Sequence, residues 1–337
     1  MTKHILVTGG AGYIGSHTCQ ALAKAGYTPV VFDNFSTGVK SAVQFGPLEM
    51  GDIRDGARFA EVLKKYDPVA VMHFAALIKV GESVERPADY YNVNMHGTWT
   101  LLNTLLEFAG ETKKPLPFVF SSTAAVYGSP ETSPIKEDAP LKPINPYGQS
   151  KLMVENMLAD FSAAYDLRHV ALRYFNAAGS SLDNVIGLNN REPTHLIPSA
   201  LEAIMGTRPE LNIMGTDYPT EDGTAVRDYI HVVDLAEAHV ESLKYLLNGG
   251  QSITLNLGTG KGFSVREVVD VVSKEVGVPV PVIYADRRAG DPPALVANSS
   301  RAQKLLNWKP HLSDLSTIVR TAWAWRQTYE AKDNSAI

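Results

Sequence analysis

The stretch Lys3-His-Ile-Leu-Val-Thr-Gly-Gly-Ala-Gly-Tyr-Ile-Gly15 decides the fold. Ile5, Leu6 and Val7 form a short unbroken apolar run, the pattern of a strand buried on both faces of a parallel sheet. Gly9, Gly12 and Gly15 follow, and a helical pattern then runs from Tyr13 to Lys24, with Gly26 as its stop. Glycines at these places permit a tight turn, a close approach of backbone to a pyrophosphate, and close packing of helix on strand. The start of the helix offers free N–H groups to phosphate. A second strand, Pro29-Val-Val-Phe-Asp33, ends in an acid eighteen residues beyond Gly15. Its carboxylate accepts from a ribose 2′-hydroxyl and repels a 2′-phosphate, so the pattern predicts NAD rather than NADP.

The same unit repeats outward from there. Val69-Ala-Val-Met-His-Phe74 and Pro117-Phe-Val-Phe-Ser-Ser122 read as further buried strands with helical segments between them. Alternating strands and helices predict an α/β protein with a doubly wound parallel sheet. A short strand near Leu48 to Met50 leads to Asp52 and Ile53, placed to lie near an adenine. Phe74, Ala75 and Ala76 end their strand at the carboxyl edge of the sheet, where open α/β sheets bind ligands.

A second constellation supplies chemistry. In Asn145-Pro-Tyr-Gly-Gln-Ser-Lys151, Asn145 is a good N-cap and Pro146 fits the first helical position. Tyr147 and Lys151 then stand one turn apart on one face. A phenol with its ordinary pKa near 10 is a poor base at neutral pH, and a neighbouring ammonium lowers that value. Such a pair takes a proton from an alcohol while hydride leaves the same carbon. Strand-end Ser121-Ser-Thr123 adds a hydroxyl to hold the same oxygen, with Thr123 the favoured partner. The alternative for these three is that they satisfy backbone groups at the strand end.

Composition narrows the partners. With 337 residues the chain exceeds a typical single domain, so a large and a smaller lobe are expected. A net charge of −5 and the lack of a long basic run exclude nucleic acid as the main partner. The single cysteine, Cys19, cannot form an intramolecular disulfide. Nine histidines without metal-ligand spacing predict no metal. No apolar run reaches the length of a membrane span and the N-terminus lacks a signal-peptide pattern, so a cytoplasmic protein is expected.

Gly-Gly-Ala-Gly-Tyr-Ile-Gly15, Ser-Ser-Thr-Ala-Ala-Val-Tyr-Gly128 and Pro-Tyr-Gly-Gln-Ser-Lys151 resemble the extended short-chain dehydrogenase/reductase superfamily. Three later stretches narrow the resemblance: Leu172-Arg-Tyr-Phe-Asn-Ala-Ala-Gly179, Tyr218 to Leu235, and Arg287-Arg-Ala-Gly-Asp-Pro-Pro293. Together they are similar to the UDP-glucose 4-epimerase family from about Lys3 to Trp325, most specifically in Asp222-Gly-Thr-Ala-Val-Arg-Asp-Tyr-Ile-His-Val232.

The resemblance implies that Tyr147 is the base, that Lys151 holds the nicotinamide ribose, and that Thr123 orients a sugar 4-hydroxyl of UDP-galactose or UDP-glucose. It extends the cofactor's surroundings to Tyr13, Ile14, Asn34, Ser36, Thr37 and Tyr174. It places Asn176, His195, Leu196, Asn212, Ile213 and Met214 along the nucleotide-sugar site, Arg227 and Arg288 on the diphosphate, and Asp291 on a ribose hydroxyl. Leu295 falls at the family's gate beside the sugar 2-substituent, where its intermediate size favours plain hexoses without excluding N-acetylated ones. The family also implies a homodimer built on helices of the first lobe. Lys79 is displaced by one position from the family's cofactor lysine. Ala124 and Ala125 stand where a nucleotide-sugar dehydratase carries an Asp-Glu pair. The expected division is a dinucleotide lobe over residues 1–174, rejoined by 228–258, with a discontinuous substrate lobe over 175–337.

Overall fold

The computed structural model describes residues 3–189, 193–287 and 291–334. Six strands come first: β1 (His4–Thr8), β2 (Thr28–Asp33), β3 (Leu48–Met50), β4 (Ala70–His73), β5 (Phe118–Thr123) and β6 (His169–Tyr174). Next are β7 (Asn176–Ala178), β8 (Leu211–Met214), β9 (Val226–His231) and β10 (Ile253–Leu257). The last three are β11 (Gly262–Ser264), β12 (Val282–Ala285) and β13 (Ala294–Leu295).

The first six strands and β10 form one seven-stranded sheet in the order β3-β2-β1-β4-β5-β6-β10. Every pair in it is parallel. This is the doubly wound sheet that the alternating pattern predicts. Its strands are apolar on both faces because helices cover both. The helices Tyr13–Lys24 and Val232–Leu247 lie on one side, where Cys19, Leu22, Leu235 and Leu243 join the core. On the other side lie Gly56–Tyr66, Thr98–Thr112 and Pro146–Tyr165. Their buried residues recur at helical spacing: Phe59, Val62 and Leu63; Leu101, Leu105 and Phe108; Val154 and Leu158. Each such side chain, fully buried, contributes about 1.5–3 kcal/mol.

Chain order reverses between β1 and β4, and a crevice opens there at the carboxyl edge of the sheet. The glycine turn after β1, the ends of β2 and β4, and Thr123 at the end of β5 all border it.

The smaller lobe is built on β9, which pairs with β7, β11 and β13, while β8 pairs with β12. Helices Leu196–Met205, Val265–Val276 and Leu315–Asn334 enclose its core. Ser264 and Glu267 close a capping box at the start of the second of these, and Gly277 ends it with φ +79°. Asp228 pairs with Gly262 and Tyr229 to His231 pair with β7, after which His231 Nδ1 accepts from Val233 N and the helix from Val232 packs on the large sheet.

Candidate active site

The glycine turn explains why no other residue fits it. Gly9 has φ +73°, and a Cβ there would stand 2.4 Å from Ala75 N, because the end of β4 crosses over it. A Cβ on Gly15 would stand 2.2 Å from Gly9 O. Gly12 occupies the N-cap position without a side-chain cap, and an added Cβ would approach only Gly9 O, at 3.2 Å. The helix start therefore presents bare backbone to the crevice, a cradle that fits a pyrophosphate.

Asp33 ends β2 beside this turn and is 8% exposed. Its carboxylate accepts from Ala11 N at 3.0 Å and Phe35 N at 2.8 Å. Burial raises its pKa while these backbone donors oppose the rise. The acid thus ties the end of β2 to the glycine turn. Asn34 bonds Ser36 N and Asp52, and the Arg54 guanidinium holds the Asp52 carboxyl well below the usual range. Ile53 is buried beside them, whereas Ser36 and Thr37 are exposed. Ile14 packs on the core, and the Tyr13 hydroxyl donates to Gly179 O at 2.6 Å, tying the turn to the segment after β7.

The proton-transfer candidates meet at the end of β5. Asn145 Oδ1 accepts from Gly148 N at 2.8 Å, capping the helix Pro146–Tyr165 as its sequence predicts. Thr123, 8% exposed, accepts from Ala125 N. Burial raises the Tyr147 phenol, and a hydrogen bond with the Thr123 side chain works against the rise. Lys151 is 2% exposed, and burial draws it from 10.5 down to about 7. Its ammonium donates to Ser121 O at 2.9 Å and lies 4.9 Å from the centre of the Phe120 ring.

The lowering of Tyr147 by its lysine, expected from helical spacing, is therefore not what this arrangement shows. The lysine stem bends toward a strand carbonyl, and desolvation governs the phenol. Tyr174, at the end of β6, bonds Ser121 Oγ. Asn94 was not among the sequence-predicted site residues, yet it accepts from Leu77 N at 2.8 Å, donates to Leu77 O at 3.0 Å and reaches Ser150 Oγ at 3.0 Å. It clamps the loop after Ala76 to the Tyr147 helix. Lys79, on that loop, is exposed.

The residues expected along the nucleotide-sugar site come from distant parts of the sequence. Arg227 on β9 lies opposite Leu295 on β13. Its guanidinium is 3.3 Å from Asp291 and donates to Val226 O and Pro292 O. Leu295 packs against the cluster formed by Ile135 with Ala124, Val126 and Tyr127 of the turn that follows Thr123. Asn176 donates to Asp228 O at 3.0 Å.

His195 is exposed at the N-cap of the helix that begins at Leu196, and Leu196 packs on the smaller core. Strand alternation turns the Ile213 side chain into that core, 2% exposed, while Asn212 and Met214 face outward. Arg288 lies outside the described residues. Its neighbour Arg287 pairs with Asp217 at 2.6 Å and stacks 4.3 Å from the centre of the Tyr218 ring. Asp234, Glu237 and His311 gather near one another. The Asp234 oxygens are already taken by His311 N, Leu312 N and Ser313 Oγ.

A doubly wound sheet, a bare glycine turn beside a terminal acid, and a Thr–Tyr–Lys set at the strand ends define a dinucleotide-binding enzyme of the extended short-chain dehydrogenase/reductase type. A family model described as GDP-mannose 4,6 dehydratase matches residues 6–321. The UDP-glucose 4-epimerase of Rhizobium leguminosarum bv. trifolii is 52% identical over 321 residues, covering 95% of this chain and 96% of that protein. A crystal structure of UDP-glucose 4-epimerase from Brucella ovis in complex with NAD aligns with TM-score 0.92 at 50% identity, covering 96% of this chain and 98% of that one. The Stenotrophomonas maltophila UDP-glucose-4-epimerase, with bound NAD and formylated UDP-arabinopyranose, aligns with TM-score 0.93 at 40% identity over 98% and 99% of the two chains. The chain belongs, with these relatives, to the UDP-glucose 4-epimerase family.

Proposed function

We propose that the protein is an NAD-dependent epimerase that interconverts UDP-galactose and UDP-glucose by inverting C4 of the hexose through a 4-keto intermediate. The observation that carries this is the Thr123–Tyr147 hydrogen bond beside buried Lys151, followed directly by Ala124 and Ala125. Those alanines leave no carboxylate to expel a C6 hydroxyl, so a 4-keto sugar formed here returns to a hydroxyl instead of dehydrating.

When bound, NAD⁺ would supply a reversible hydride acceptor. Gly9, Gly12 and Gly15 with the helix start hold its pyrophosphate, Asp33 its adenosine ribose, and Lys151 its nicotinamide ribose. Tyr147 would take the proton from the 4-hydroxyl, and Thr123 would hold that oxygen in place while it does so. Once the sugar has turned its other face, Tyr147 returns the proton. Arg227 and Arg288 bind the diphosphate, since a guanidinium engages phosphate through paired donors. Asp291 receives a ribose hydroxyl, and Leu295 sets how large a 2-substituent enters.

The seven-stranded sheet with its returning segment serves the dinucleotide, and the smaller lobe serves the UDP-sugar. Two copies pair through helices Thr98–Thr112 and Pro146–Tyr165, in keeping with exposed Trp99 on the first of them. Light scattering at twice 36.6 kDa tests that pairing. A cytoplasmic enzyme is in keeping with the one cysteine, buried Cys19. Proton NMR of the purified protein with UDP-galactose and no added NAD tests the activity. Conversion to the gluco isomer is expected, and no conversion even after NAD is supplied refutes it.

A further inference from the structure

Three consecutive residues of β5 are tied to three successive turns of the Tyr147 helix. Thr123 bonds Tyr147, the Ser121 carbonyl receives the Lys151 ammonium, and Ser122 Oγ donates to Glu155 Oε1 at 2.5 Å. Tyr147, Lys151 and Glu155 are spaced by four, so they form one stripe on the helix. The third of these ties continues into a network that the chemistry described above does not use.

Glu155 is 7% exposed and Arg173 on β6 is 4% exposed. The guanidinium meets the carboxylate through Nη2 at 2.6 Å and Nε at 2.9 Å. Arg173 Nη1 donates to the Tyr127 hydroxyl at 2.9 Å and to Glu137 O at 3.2 Å. Tyr127 donates in turn to Asn256 Oδ1 at 2.7 Å on β10. One ion pair therefore joins the Tyr147 helix to β5, β6, β10 and the turn after Thr123. Replacing a buried pair of this kind with apolar residues is often neutral or stabilising, so stability alone does not explain it.

We propose that Glu155 and Arg173 are positioning residues for proton transfer: the pair locks the helix on β5 and cancels its own charge, so that neither member displaces the titration of Tyr147. The proposal rests on Tyr147 as the proton-transfer group. The other titratable groups facing this helix are Tyr90 with Glu82, His73 on β4, Tyr174 and His169 on β6, and Tyr127 with Glu137. Burial keeps His73 neutral. An unbalanced charge at Glu155 or Arg173 would thus add to the field at the phenol.

The test uses the NAD-loaded protein and follows phenolate absorbance against pH, assigning Tyr147 by the signal lost in Tyr147→Phe. Glu155 lies two helical turns, about 12 Å, from Tyr147. At that distance one unbalanced charge moves the titration by roughly half to one pH unit. Glu155→Gln leaves the guanidinium unpaired, so Tyr147 titrates at lower pH. Arg173→Met leaves the carboxylate unpaired, so Tyr147 titrates at higher pH. Arg173→Lys keeps the cation and leaves the titration in place. The double variant Glu155→Gln/Arg173→Met restores the wild-type value, and it decides the matter if neither single variant folds: a displaced titration there overturns the proposal. A Tyr147 signal that does not titrate in the wild type overturns the proton-transfer assignment and this inference with it. A signal that titrates but ignores both single changes overturns the inference alone.

Discussion

Replacing Lys151 with methionine should make the NAD-free protein more stable at neutral pH, by an amount that shrinks as pH rises. Lys151 is 2% exposed, and burial lowers it from 10.5 to about 7. The folded state therefore disfavours the proton that the unfolded chain holds. Between pH 7 and 10.5 the unfolded chain binds more protons than the folded one, so this group makes wild-type stability rise with pH across that window and level off below it. Proton linkage puts the cost at about 4 kcal/mol at pH 7 and about 2 kcal/mol at pH 9. Methionine removes that cost together with the hydrogen bond of the amine to Ser121 O, worth about 0.5–1.5 kcal/mol when neutral. The net gain is then about 3 kcal/mol at pH 7 and about 1 kcal/mol at pH 9. Urea unfolding of wild type and Lys151→Met at the two pH values measures the difference. A gap that stays constant from pH 7 to pH 9 would refute the idea that burial opposes the charge on Lys151. Turnover falls by orders of magnitude in the same variant, the usual exchange of stability for function at an active site.

Tyr147→Phe retains fold and bound NAD but loses a factor of about 10²–10⁴ in turnover, the range for a removed proton-transfer group, as an NMR epimerisation assay will read. Gly15→Ala drives a Cβ to 2.2 Å from Gly9 O. It should cost about 1–3 kcal/mol and strip the protein of NAD on gel filtration, and a loaded, stable variant would contradict the role given to this turn. Asp33→Ala leaves Ala11 N and Phe35 N without their acceptor, which costs about 1–3 kcal/mol. It also removes the repulsion of a 2′-phosphate, so the preference for NAD over NADP narrows in equilibrium binding. Leu295→Gly raises the rate on UDP-N-acetylgalactosamine relative to UDP-galactose, and an unchanged ratio places the gate elsewhere.

What the sequence determined by itself was whatever obeys local rules. The glycine triad, the acid that ends the second strand, the Asn145 cap and the alternation of apolar strands with helices are set by backbone sterics and by periodicities of two and 3.6 residues. Each is complete within a few turns of chain, so the parallel sheet and the pairing of Tyr147 with Lys151 on one helix face could be read directly. Tertiary structure alone decided which distant groups meet. That Arg227 faces Leu295 and approaches Asp291 depends on strand register in the smaller sheet. That Ile213 turns inward while Asn212 does not depends on which face of β8 the core covers. Lys151 reaching the Ser121 carbonyl, and Glu155 finding Arg173 across the sheet, depend on where the helix settles on β5 and β6. Packing of long-range partners excludes water and so fixes the charges and pKa values of the site, and no local spacing encodes which partners those are.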